Sequence, residues 1–506
     1  MHLLAQSTSE QLRLPPIDWR AIAPELALAA AGVVLLMVVA FWPHARRFLL
    51  AGLTLVGLAV AAGLTTWNWD LSRVAFDGAV SLDGITRYAR VVLLAVGVLA
   101  TLMAAQGEGD TPGRDQAPPE VFPLLLFALT GMVLLAAASD LLVVFIALEI
   151  LSLSLYVLAG ATRGVAAEEA AMKYFLLGAF SSAFLLYGIA LCYGAAGTTG
   201  LLGIARATAD PTVNSTLLLA GIGLLAVGFC FKVAAVPFHM WTPDVYQGAP
   251  TPVAAFMAAG TKAAGFAVFL RVFAGALGGM VLSWRPVIAA VAVVTMLVGA
   301  GLAVVQTDLK RMLAYSSISH AGYLLVGLAA AATVPAGVSA SMFYLLAYAF
   351  MVMGAFMVVQ YASRLGPPDT EETGERSSLQ DYRGFARRHP WAGGLLALFM
   401  LALTGIPPLS GFWAKYYVFL AGVNAGLTWL VVVAVVSSAI SAFFYLRVLV
   451  VAYLEEPAGA AEPEPAAGRA PALGLALGLA GLLTVAIGLA PQVLVTAART
   501  AERILG

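Results

Sequence analysis

Lysine is scarce in this chain: it occurs five times, against 22 arginines, in 506 residues. Charge of either sign is scarce too, at 11% of the residues, and it cancels to a net charge of zero. No basic surface for nucleic acid is expected from such a balance. Cysteine occurs only twice, at Cys192 and Cys230, both inside apolar runs. They read as small buried hydrophobes, the alternative being a catalytic thiol. There is no CxxC or CxxCH for an iron–sulfur cluster or haem, and no GxxxxGK[ST] for nucleotide hydrolysis. The period-two alternation of an outer-membrane strand is missing. Residues 1–20 lack a basic region followed by an apolar one, so no cleavable signal peptide is expected.

What the chain does have is apolar length. It is 61% hydrophobic, with a mean hydropathy of +0.93. That composition indicates a polytopic membrane protein. Lipid offers the backbone no hydrogen-bond partner, so helices are the expected spans. About fourteen can be placed, at roughly 20 residues each. They fall near 22–41, 48–66, 84–105, 121–138, 141–160, 169–193, 216–236 with a continuation past Pro237, 251–273, 285–306, 311–332, 337–361, 391–420, 427–453 and 471–492. The expected fold is an all-α membrane helix bundle. Its domains are helices 1–3 over 1–120, a first repeat of helices 4–8 over 121–275, a second of helices 9–13 over 276–455, and a linker with helix 14 over 456–506.

Loop charge sets the expected orientation. The loops after odd-numbered spans carry twelve basic residues, Arg46, Arg47, Lys310 and Arg387 among them, and the opposite side carries seven. Odd loops are then cytoplasmic, and both termini lie outside. Residues 107–120, 364–390 and 455–469 read as hydrophilic surface loops, the last a Pro/Ala/Glu-rich linker. Within 364–390 a cytoplasmic partner contact is the alternative to a solvated loop. Lys310 and Arg311 read as loop charges, and Gly474 with Gly478 as a GxxxG close-packing stripe.

Two spans are broken. Pro237 frees the carbonyl of Val233, beside Lys232. Pro407 and Pro408 free those of Leu403 and Thr404, with Lys415 seven residues on. Paired breaks in two halves are the mark of an inverted-repeat transporter with its site at the breaks. Lys415 would sit near the start of the helical half that follows. The positive end of that half disfavours an ammonium, so Lys415 is expected to give up its proton as the terminal donor.

The site candidates are the charges left in apolar sequence. Glu149 lies centrally in LLVVFIALEILSLSLYVLAG, and Lys232 and Lys262 lie in the stretch 231–264. Each such group costs roughly 2.5–3.5 kcal/mol to insert. Arginine stays charged in proteins, whereas a buried lysine can exchange its proton. Glu149, Lys232, Lys262 and Lys415 therefore read as a proton relay joined by water, with a static Glu149–Lys232 ion pair as the alternative. His320 would carry protons between Lys262 and Lys415, or would be a neutral, hydrogen-bonded core histidine. Lys173 is a further candidate; the other reading is that it snorkels and pairs with Glu169, four residues before it. His239 and Asp244 read as boundary residues. No residue set suggests a metal site.

These segments resemble the antiporter-like membrane subunits of respiratory complex I, in the branch called subunit N. The resemblance covers nearly the whole chain. It is carried by KVAAVPFHMWTPDVYQGAPTPVAAFMAAGTKAA at 232–264, SDLLVVFIALEILSLSLYVLAG at 139–160, TDLKRMLAYSSISHAGYLLVG at 307–327 and GIPPLSGFWAKYYVF at 405–419. Tyr246, Gln247 and Gly248 favour that branch over its paralogues, as does an ending soon after span fourteen. The resemblance implies that Glu149 pairs with and tunes Lys232 on a broken helix 7. It implies that Lys262 on helix 8 connects to Lys415 on a broken helix 12. It implies a bacterial inner-membrane protein that pumps protons, driven by NADH–quinone electron transfer elsewhere in a complex. No cofactor is then expected in this chain; NADH, flavin, iron–sulfur clusters and quinone would be held by partner subunits. The expected neighbours are the antiporter-like subunit M, the small subunits K and J, and the lipid bilayer. Two other functions stand beside this one: a subunit of a multi-subunit cation/proton antiporter, and a scaffold that has lost transport. The full set of buried charges argues against the scaffold.

Overall fold

The computed structural model describes residues 18–106, 118–162, 164–365, 376–456 and 470–504. Among the described residues, twelve helices are long and apolar enough to cross a membrane, and two shorter apolar helices complete the set of fourteen spans. We number them α1 (Ala23–Phe41), α2 (Arg47–Trp67), α3 (Gly84–Ala105), α4 (Val121–Ala137), α5 (Leu141–Ala159) and α6 (Val165–Ala196). Then come α7a (Ser215–Lys232), α7b (Trp241–Gly248), α8 (Thr251–Ala276), α9 (Val281–Val304), α10 (Leu309–Ala331) and α11 (Ala336–Ser363). The last are α12a (Pro390–Thr404), α12b (Ser410–Asn424), α13 (Thr428–Leu454) and α14 (Pro471–Leu489). Among the described residues the bundle is all-α apart from a small hairpin, β1 (Arg73–Ala75) with β2 (Val80–Leu82).

The apolar windows of α8, α10 and α11 are wholly buried, whereas those of α1, α6 and α13 are less than half buried. The inner three can carry polar groups because protein surrounds them; the outer ones present Leu, Val and Phe outward. The loops before α5 and α10 use the same device. Asp140 caps α5 by accepting from the Leu142 amide at 2.7 Å, and Asp308 caps α10 by accepting from Arg311 at 2.8 Å. Each aspartate also makes an isolated antiparallel bridge, Asp140 to Gly200 and Asp308 to Ser378. The side-chain oxygen takes an amide that the helix start leaves without a partner.

Both expected breaks are present, between α7a and α7b and between α12a and α12b, and each holds a cis X–Pro peptide. The turn after α12a brings chain onto chain: a Cβ on Gly411 would lie 1.8 Å from the Ala402 carbonyl oxygen. On α8, π-helical turns at Met257–Thr261 and Leu270–Ala276 flank the α-helical segment that begins at Lys262. Such turns lack a sequence signature and recur at functional sites.

Several expectations are corrected. Gly474 and Gly478 face open space and make no close packing. The close glycines of α14 are Gly481, against Leu395, and Gly488, where a Cβ would lie 2.2 Å from the Pro408 carbonyl oxygen. The segment 376–388 is not a solvated loop. It forms a capped turn (Leu379–Tyr382) and a short helix (Phe385–Arg388) with Leu379, Tyr382 and Phe385 buried. Residues 366–375, 107–117 and 457–469, which carry most of the other loop assignments, lie outside the described residues, as does Arg163. Lys310 is buried and donates to the Ala249 carbonyl at 2.8 Å. Its place in the first turn of α10 brings the long stem across the end of α7b.

Arg90 and Arg271, which the sequence did not single out, are also buried inside the bundle. Arg90 on α3 pairs with Glu25 on α1 at 2.6 Å. Arg271 on α8 grips Asp83 at 2.5 and 2.9 Å, and donates to Thr86 and the Ala136 carbonyl. Asp83 precedes α3 and caps it. Burial would raise its carboxyl, but Arg271, with Thr86 and Ser81, holds it below its ordinary value.

Candidate functional site

The three central lysines are all buried, and each is held differently. An ammonium has three donors to satisfy. Lys232 ends α7a, where the helix stops short of Pro237. It donates to Ser152 of α5 at 2.9 Å and to the Tyr174 hydroxyl of α6 at 3.3 Å. The Tyr174 ring stacks on Trp241 at 4.7 Å, and the Trp241 indole N–H takes the Phe231 carbonyl at 3.0 Å. One exposed end of α7a is thus closed by a residue of α7b across the break.

Glu149 does not touch Lys232. The expected direct pair is replaced by two separate bonds. Glu149 is half-buried on α5 and accepts from Ser182 of α6 at 2.5 Å, while Lys232 reaches Ser152. Ser152 follows Glu149 by three residues and so lies on its face of the helix.

Lys262 projects from α8 against α10 and donates to the Ser317 carbonyl at 2.6 Å, with the Tyr348 ring of α11 at 5.8 Å. His320 lies one turn further along α10. Its Nδ1 meets the Tyr344 hydroxyl of α11 at 2.6 Å, and its Nε2 meets the Tyr445 hydroxyl of α13 at 3.1 Å. Tyr445 bonds in turn to Ser316. The imidazole ring is 4.9 Å from the Tyr348 ring and 5.6 Å from the Tyr323 ring. Tyr323 bridges onward: its ring lies 5.3 Å from the Lys415 ammonium. His320 shares one side of α10 with Ser316, Ser317 and Tyr323, which lie three or four residues from it.

Lys415 sits in the second turn of α12b and reaches back across the break. It donates to the Thr404 carbonyl at 2.7 Å, to Ser438 at 2.8 Å and to the Leu403 carbonyl at 3.1 Å. These are the carbonyls that Pro407 and Pro408 free. The expectation from the helix dipole is therefore corrected: the ammonium rests at the negative end of α12a, which favours a cation.

Lys173 is not part of this line. It forms ion pairs with Glu169 at 2.6 Å and Asp244 at 2.7 Å, and Asp244 also pairs with Arg311 at 2.7 Å. These residues border an open cleft of about 330 Å³ between α6, α7b and α10. Asp244 is thus the hub of a charge cluster, and Arg311 its partner rather than a loop charge. Sequence reading missed the tyrosines. Tyr174, Tyr323, Tyr344, Tyr348 and Tyr445 are all buried, with hydroxyls or rings on the lysines and His320. A buried tyrosine hydroxyl usually has a polar partner, and that was the available signal.

Residues 138–441 match the family described as NADH:quinone oxidoreductase/Mrp antiporter, transmembrane. A protein of Parafrankia sp. named NADH-quinone oxidoreductase subunit N is 44% identical, covering 99% of this chain and 98% of the relative. A protein of the same name from Acidothermus cellulolyticus is 42% identical over 97% of each chain. Among solved structures, a chain of respiratory complex I from Thermus thermophilus with bound aureothin is 35% identical, with TM-score 0.78 over 94% of this chain and 99% of that one. A chain of the Mrp complex from Dietzia, at 24% identity and TM-score 0.78, shares the fold. With a matching membrane family, full-length relatives of one name and the same bundle, this chain belongs to the subunit N family of NADH-quinone oxidoreductase.

Proposed function

We propose that the chain relays protons across the bundle through Lys232, Lys262, His320 and Lys415, tuned by Glu149, and that quinone reduction in partner subunits drives the relay. The observation that carries this reading is His320, set between two phenol hydroxyls and between Lys262 and Lys415. An imidazole can accept a proton on one ring nitrogen and give one up from the other. The hydroxyls of Ser317 and Tyr348, next to Lys262, have no hydrogen-bond partner among the described residues. They are available to internal water, which bridges groups too far apart to bond directly.

The working assembly in this proposal is a bacterial inner-membrane complex with subunit M beside this chain, subunits K and J close by, and both termini on the outer side. NADH, flavin, iron–sulfur clusters and quinone belong to the partners, with no redox site in this chain. A stand-alone cation/proton antiporter is the competing reading; the two full-length relatives named as subunit N support the first.

The test is proton yield. Lys232→Ala and Lys262→Ala are made in the whole complex, which is reconstituted in vesicles with quinone reduction and proton uptake followed together. Assembly is expected to survive and protons per quinone to fall. Wild-type yield in both variants sinks the relay. Uptake that needs sodium and ignores quinone favours the antiporter.

A further inference from the structure

An acid and a lysine that lie close together inside a membrane ordinarily make a contact pair, and here they do not. Glu149 turns from Lys232 toward α6, where the Ser182 hydroxyl donates to Oε1 at 2.5 Å. Lys232 points to Ser152, at 2.9 Å. Beside Lys232 is a narrow cleft bordered by Leu148, Ser152, Tyr156, Ser182, Phe231 and Lys232, with Glu149 outside its lining. It leaves about 10 Å³ for a water's centre, which is room for about one molecule. Gly178 keeps the cleft in shape: a Cβ there would lie 1.9 Å from the Tyr156 hydroxyl.

We propose that Ser182 is a positioning residue for Glu149, holding the carboxylate on the α6 wall and out of contact with Lys232, so that the two groups act on each other without forming a contact pair. Two reasons support it. A hydroxyl that donates to a carboxylate forms a charge-assisted bond, which is among the stronger side-chain bonds. A contact pair in a low-dielectric interior would need separating whenever either group changed charge, whereas attraction between groups held apart is weaker because it falls with distance. Ser182 thus keeps the acid near enough to sense Lys232 and too far to lock it. Its consequence for pumping rests on the relay reading; the Ser182–Glu149 bond does not.

The experiment is infrared difference spectroscopy on the intact complex between two pH values. The Glu149 band is assigned by its loss in Glu149→Gln. Ser182→Ala is expected to shift that band, and Ser182→Thr, which retains a hydroxyl, to restore it. In proton-yield assays, Ser182→Ala is expected to lower the yield alone and to add no further loss to Glu149→Gln. If Ser182→Ala does not assemble, Ser182→Cys serves in the same comparison. An unshifted band, or a shift that Ser182→Thr does not reverse, overturns the proposal, as does an additive loss in the double variant. If Glu149→Gln pumps normally, the relay reading of Glu149 fails while the band still reports the bond.

Discussion

The Lys415 ammonium on α12b donates to the Thr404 carbonyl of α12a at 2.7 Å, joining the two halves of a helix that proline has cut. With Leu403 and Ser438 it has three acceptors for its three donors. The corresponding break between α7a and α7b is closed by the Trp241 indole on the Phe231 carbonyl, so Lys232 is left to face α5 and α6. The two halves therefore share their breaks but not the job given to their lysines.

Lys415→Arg should be nearly as harmful to coupled proton transfer as Lys415→Ala. Arginine retains the charge but does not give up its proton in proteins. Alanine also strips a partner from two carbonyls, at a cost of about 1–3 kcal/mol for each that stays dry. Proton uptake and thermal unfolding of both variants separate these effects. An active Arg variant beside an inactive Ala variant would mean that the position needs charge and not a titrating group.

His320→Gln keeps hydrogen bonding to a phenol hydroxyl but cannot pass a proton between two nitrogens. The rate of proton uptake should fall by about 100-fold, the lower end of what a positioned acid–base group contributes. Tyr445→Phe, which removes one of the two hydroxyls, should cost less. Stopped-flow uptake with a pH-sensitive dye checks the order; equal rates in His320→Gln and wild type would make His320 a packing residue.

Asp83→Ala should destabilise the chain by about 3–5 kcal/mol, because Arg271 would be left buried without its counter-charge. Replacing the pair together, Asp83→Leu with Arg271→Met, should recover most of that loss. Thermal unfolding of the purified complex, monitored for this subunit, gives the comparison. A double variant as unstable as Asp83→Ala would show that the hydrogen bonds to Thr86 and Ala136 matter more than the charge.

Lys173→Ala should change stability by no more than about 1 kcal/mol, since the lysine is half-exposed and Arg311 still pairs with Asp244. Asp244→Ala removes the hub of both pairs and should cost more. Proton yield decides the role: near wild type in Lys173→Ala keeps Lys173 outside the relay, and a yield as low as in Lys262→Ala would bring it in.

The sequence by itself was enough to identify a helical membrane bundle, its fourteen spans, its two breaks and the lysines worth testing. All of these rest on local physics. Lipid demands runs of about 20 apolar residues, proline removes an amide, and an ammonium in apolar sequence is costly wherever the fold takes it. The freed carbonyls of Leu403 and Thr404 and the nearness of Lys415 were legible for the same reason. Partner choice was not. That Lys415 reaches back to those carbonyls, that Glu149 goes to Ser182 and Lys232 to Ser152, and that Arg271 finds Asp83 are contacts between separate helical segments, some next to each other in the chain and some far apart. Helix packing decides them, because only the folded bundle shows which face of α5 meets α6 and which face of α10 meets α11 and α13. Tyrosine and serine add to this difficulty: each is common in apolar helices, and a hydroxyl becomes part of a relay only when tertiary structure sets it against a charged or titrating neighbour.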